Sequence, residues 1–130
     1  MRFRFRFFSL FSVLLFCLGS LAAQETTVMV RALAKDAKFI GSSIGGAKII
    51  VRNAETGTIL DQGFTSGSTG DTKLILKTPQ KRYDSLTDGE TAGFKAELDI
   101  KNPTFIEIEA HAPFNKKQAR VVSSTQLWVI

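Results

Sequence analysis

The sequence holds a single cysteine, Cys17, inside an apolar N-terminal run. Once that run is set apart, the rest of the chain has no thiol. That excludes a disulfide, a thiolate nucleophile and a zinc site built on sulfur. There is also one histidine, His111, so any imidazole chemistry has one candidate. Beyond residue 23 no stretch keeps apolar residues at helical spacing for three turns, which leaves strands as the building material. Residues 67–72 (GSTGDT) lack the Gly-Lys-Ser/Thr ending of a phosphate loop, and a strand pattern follows where a helix is needed. Ser68 has Ser66 two residues before it, not the glycine of a nucleophile elbow. Asn102-Pro103-Thr104 carries proline in the middle of the glycosylation triplet, which blocks it. No local motif pairs His111 with a serine or with a lysine-activated serine. No catalytic residue is therefore assigned, no cofactor is expected, and the chain is read as a non-enzyme.

Several features are positively present. Arg2, Arg4 and Arg6 precede an uncharged apolar run at residues 7–18 (FFSLFSVLLFCL), and residues 19–23 (GSLAA) are small. That order is a secretory signal. Cleavage after Ala22 or Ala23 leaves residues 24–130 as one domain, exported to the periplasm or the exterior, with no membrane span. The rival is a retained anchor, but residues 7–23 are at the short limit for a bilayer and end without a charged stop. Lipidation at Cys17 is disfavoured by Phe16, which stands where a small side chain is needed. Of the 17 Lys and Arg, three leave with the signal, so fourteen face 12 acids and the formal charge drops from +5 to +2. The balance gives no ground for a nucleic-acid partner.

Alternation and turn chemistry predict strands at residues 26–33, 47–53, 58–65, 72–77, 93–101, 104–112 and 120–130. Residues 39–46 and 66–71, rich in Gly and Ser, read as loop and turn, and Gly57 suits the positive φ of a hairpin. In residues 93–101, Phe94, Ala96, Leu98 and Ile100 alternate with charged residues, the mark of a half-buried strand. About seven short strands at this spacing predict an all-β fold, a single antiparallel β-sandwich of immunoglobulin-like type. The cysteine pair and core tryptophan of true immunoglobulin domains are missing. The chain closes on Leu127-Trp128-Val129-Ile130 in mid-strand, so either this is an edge that needs cover or the native chain continues beyond Ile130.

Residues 46–72 (GAKIIVRNAETGTILDQGFTSGSTGDT) resemble the carboxypeptidase regulatory-like modules, which are small transthyretin-like sandwiches. Gly46-Ala47, Thr56-Gly57, Thr65 and Gly70 sit at the matching places. After Thr65 the family has an acidic turn, a glycine and an aromatic, whereas residues 66–71 (SGSTGD) are longer and lack the aromatic. The start of the mature chain (VRALAKDAKFIG) also resembles uncharacterised exported bacterial proteins. The resemblance implies a non-catalytic sandwich that accompanies another protein, and it transfers no functional residue.

Three groups of residues are candidates for function. Glu107, Glu109 and His111 share one face of a strand and form a candidate metal site, although a spacing of about 7 Å between successive ligands is wide for chelation. The plainer expectation is a wet sheet face with Ile106, Ile108, Ala110 and Ala112 inward, and with Glu107 and Glu109 paired across strands to Lys95 or Lys101. The polar segment 78–92, too long for a plain connection, offers Lys81, Arg82 and Tyr83 as partner contacts. The basic segment 115–120 adds Lys116 and Lys117, and the last strand adds Trp128. These features predict an exported module for protein binding or assembly in the bacterial envelope. It would contact another envelope or secreted protein through residues 81–90 and 126–130. The alternative is a periplasmic small-ligand or metal-binding protein that uses Glu107, Glu109 and His111.

Overall fold

The computed structural model describes residues 25–130 apart from 36, 78, 80, 83 and 84. The signal segment with Cys17 lies outside the described residues, as does Tyr83. Six strands are present among the described residues: β1 (Thr26–Val30), β2 (Lys48–Asn53), β3 (Ile59–Phe64), β4 (Phe94–Leu98), β5 (Thr104–Ala112) and β6 (Val121–Val129). All pairings between these strands are antiparallel. β1 and β4 form a two-stranded sheet, and the other four form a second sheet in the order β3-β2-β5-β6. No helix among the described residues is long and apolar enough to cross a membrane.

The core forms where the inward halves of these strands meet. Ile49 and Val51 of β2, Ala96 and Leu98 of β4, and Ile106 of β5 are fully enclosed, with Val30, Ile108 and Val129 close around them. The partners across the gap are those that alternation selects. Lys95 and Glu97 on β4 point to water while Ala96 and Leu98 point inward. The β2–β3 hairpin turns where expected. Gly57 has φ of 75°, and the Asn53 side chain accepts from the amides of Glu55 and Thr56.

One predicted strand is absent. Residues 72–77 do not extend a sheet; Lys73–Lys77 form a single π-helical turn. Asp71 explains the difference. Its side-chain Oδ1 accepts from the Leu74 amide at 3.0 Å, and its carbonyl accepts from Ile75 at 2.9 Å. The aspartate captures local amides before a neighbouring strand can take them. The β-rich expectation therefore holds, with six strands among the described residues where seven were expected. The first strand is also shorter than expected, because Leu33 leaves β1 to bridge Phe39.

Among the described residues, the two sheets are joined by hydrogen bonds along the side of β3 and β4. Beyond β3, Ser66 and Gly93 exchange backbone hydrogen bonds at 3.1 and 3.0 Å, and Ser68 and Ala92 continue the seam. Asp61 Oδ2 accepts from the Glu97 amide at 2.9 Å, tying β3 to β4. Thr65, buried at the end of β3, donates from its hydroxyl to the Ile40 carbonyl at 2.7 Å and accepts from the Ala47 amide at 2.9 Å. Downstream, Asp88 Oδ1 accepts from the Thr91 hydroxyl and from the amides of Glu90 and Thr91. These bonds, led by that from the Thr91 side chain, hold its carboxyl below the usual aspartate range.

This seam leaves no room at Gly63, where a Cβ would lie 2.3 Å from the Phe94 ring. Gly63→Val is expected to push Phe94 aside and cost about 1–3 kcal/mol in denaturant unfolding. Wild-type stability in that variant would mean the β3–β4 seam is looser than described.

Candidate functional site

The four-stranded sheet turns one face away from the core. Strand alternation and register bring Lys48, Ile50 and Arg52 of β2 beside Glu107, Glu109 and His111 of β5 on that face. β6 adds Val122, Ser124, Gln126 and Trp128 in the next row. Arg52 is central. Its Nη2 donates to Glu109 Oε2 at 3.3 Å and its Nε lies 3.9 Å from Glu107 Oε1. Gln126 Nε2 donates to Glu107 Oε2 at 2.8 Å, and His111 Nε2 meets Glu109 Oε1 in a close contact. The structure therefore brings together all three residues of the candidate metal site, but their carboxylate oxygens face an arginine, an amide and an imidazole. Among the described residues, no group of three or more His, Cys, Asp or Glu is arranged to hold a metal ion.

The expected lysine partners are not the ones used. Lys95 lies in the other sheet and pairs with Glu97 of its own strand at 3.5 Å. Lys101 lies beyond the end of β4. Arg52 does their work because β2, not β4, is the neighbour of β5. Alternation in the β2 sequence puts Arg52 on the wet face, but the sequence carries no sign of which strand lies alongside.

At the far end of this face Trp128 packs on Phe105, with ring centroids 5.1 Å apart and planes tilted by 33°. Trp128 is 55% exposed, so the pair is an open aromatic shelf rather than a core contact. At the other end, Phe114 makes an edge contact with Phe64 at 5.0 Å, with the Arg120 guanidinium 4.1 Å above its ring. Arg120 also donates to the Phe114 carbonyl. It thus turns inward from the basic segment, while Lys116 and Lys117 stay exposed. Lys116 and Lys117 precede β6 and Trp128 stands near its other end, so these expected contacts flank one strand. Lys81 and Arg82 are exposed in the segment after the π-helical turn.

β6 itself is the most distinctive element. It is an outer strand of nine residues, and every one before Val129 is exposed. Val121 is 66% exposed and Trp128 55%, with Val122 and Leu127 also open. Soluble sheets normally shorten, charge or cover such an edge. Here the nine residues read VVSSTQLWV and carry no charge.

Comparison of the chain with family models, curated proteins and solved structures returns no match.

With the carboxylates committed to Arg52, Gln126 and His111, addition of Zn2+, Mn2+ or Ca2+ is expected to leave the thermal midpoint unchanged. A metal-dependent rise that disappears in His111→Ala would return the Glu107, Glu109 and His111 group to the role of a metal site.

Proposed function

We propose that this chain is an exported, non-catalytic β-sandwich module, immunoglobulin-like or transthyretin-like, that binds or assembles with another envelope or secreted protein. The observation that carries the reading is β6: a long, uncharged outer strand whose backbone edge and apolar side chains are left open. Strand addition uses such an edge, with main-chain hydrogen bonds giving affinity and alternate side chains giving selectivity. The aromatic shelf of Phe105 and Trp128 beside that edge supplies the kind of buried anchor on which interfaces concentrate their energy. Lys116 and Lys117 at the start of the strand suit an acidic rim on the partner.

Cross-linking of the natively exported protein, followed by mass spectrometry, is expected to recover one abundant partner linked through Lys116 or Lys117. Trp128→Ala is expected to weaken that complex by about tenfold or more, equivalent to at least about 1.4 kcal/mol. Recovery of the chain alone, or full retention of the complex by Trp128→Ala, would contradict the reading.

A further inference from the structure

Among the described residues, the seam that joins the sheets through β3 and β4 has no counterpart on the opposite side. There a groove of about 920 Å3 runs between β1 and the inner face of β5 and β6. Its two walls differ in kind. On one wall the lining residues are consecutive, 28–35, so side chains from both faces of the chain border it and the groove follows a backbone edge. Over residues 28–30 that edge belongs to β1, which pairs with β4 alone among the described strands, while further along the Ala32 carbonyl and the Ala34 amide are already bonded to Ile40 and Lys38. On the other wall, alternate residues dominate: Val121, Ser123, Thr125 and Leu127 of β6, with Ile108, Ala110 and Ala112 of β5. That wall is a sheet face.

An edge on one side and an apolar face on the other describe the place of a missing strand in the two-stranded sheet. We infer that the groove takes an extended peptide strand from the partner, which pairs with β1 and lays alternate apolar side chains over β5 and β6. This inference rests on the binding-module reading above and adds a second contact, distinct from the outer edge of β6.

Size, polarity and charge agree on that occupant. Strand spacing, sheet separation and rise give roughly 160 Å3 per strand residue, so the groove holds roughly six residues. Residues 28–30 of β1 and the five residues that follow them border this length. Ala110 and Ala112 make a shallow floor that accepts branched side chains such as Val or Ile from above. Among the described residues, Arg31 and Lys35 are the charged residues that line the groove, and no Asp or Glu does. A carboxylate near one end of the incoming strand would complement them. Arg31 is already anchored, donating to the carbonyls of Thr91 and Ala92, so this rim is preformed. An acyl chain would fill apolar volume but leave the β1 backbone groups unpaired.

The test uses fluorescence anisotropy on the natively exported protein. The probe is a labelled peptide of about seven residues with Val or Ile at alternate positions, Thr between them and Asp at one end. It is expected to bind at least tenfold tighter than a peptide of the same composition with its apolar residues clustered. Methylation of alternate backbone nitrogens is expected to weaken it at least tenfold, and myristate is expected not to displace it. Ser123→Trp and Thr125→Trp, each placing a large ring over the groove from an exposed position, are expected to abolish binding while leaving the thermal midpoint unchanged. Absence of binding, equal binding of the clustered or methylated peptide, displacement by myristate, or self-association of the chain through this groove would each overturn the inference. The parent reading is separable from it. A Trp128-dependent partner that survives both groove variants would remove the groove and leave the module, whereas loss of that partner altogether would remove the module.

Discussion

Strands in a sheet lie about 4.8 Å apart, so a two-stranded layer shields only half the width of a four-stranded one. That constraint organises this protein. β1 and β4 lie over part of the larger sheet, and the enclosed residues are those beneath them: Ile49 and Val51 on β2, Ile106 on β5. β6 lies at the uncovered margin, and Leu127, which faces the same way as Ile106, stays 37% exposed. The protein resolves the mismatch on one side only. Ser66 and Gly93 bind the end of β3 to the start of β4 with direct hydrogen bonds, Thr65 ties the same corner to Ile40 and Ala47, and Phe94 fills the space above Gly63. No such seam is described on the side of β1 and β6.

The wet face of the larger sheet is handled differently. Arg52 sits between the carboxylates of Glu107 and Glu109, and Gln126 and His111 take up remaining oxygens. Partly exposed pairs of this kind contribute modestly to stability, but they fix side-chain positions and keep the centre of the face polar. Apolar exposure is thereby displaced to its margins, to Trp128 on Phe105 and Val122 along β6 and to Phe64 at the end of β3. β6 carries the first two, together with an outer edge and one wall of the groove.

Much of the fold was legible in the residues themselves. Period-two alternation marks β4 and β5 and the inward side of each, because a half-buried strand must separate apolar from polar side chains, and β2 was legible as a strand. β5 was recovered at its full span, Thr104–Ala112. The strand expected at residues 72–77 failed because apolar content there is high while Asp71 settles the local hydrogen bonding. The partner of Glu109 was misassigned because alternation gives the face but not the neighbour, and strand order is a tertiary property. The open side was illegible for the same reason. Val121 and Leu127 are apolar residues whose sequence carries no sign of what covers them, and in the fold both are exposed. The resemblance carried by Gly46, Ala47 and Thr65 maps onto a buried corner, where a Cβ on Gly46 would meet the Thr65 carbonyl at 2.8 Å.

Among the described residues, the outer edges of β1 and β6 carry no neighbouring strand, and the side between them is open. Residue-resolved amide exchange on the isolated protein tests it most directly, because a paired amide exchanges only through opening. The account predicts slow exchange at every interior residue of β2 and β5, which have neighbours on both sides. It predicts alternation along β1 and β6, where every second amide points away from the single partner strand and exchanges fast. Uniformly slow exchange along β1 and β6 would contradict it, since both edges would then already be paired.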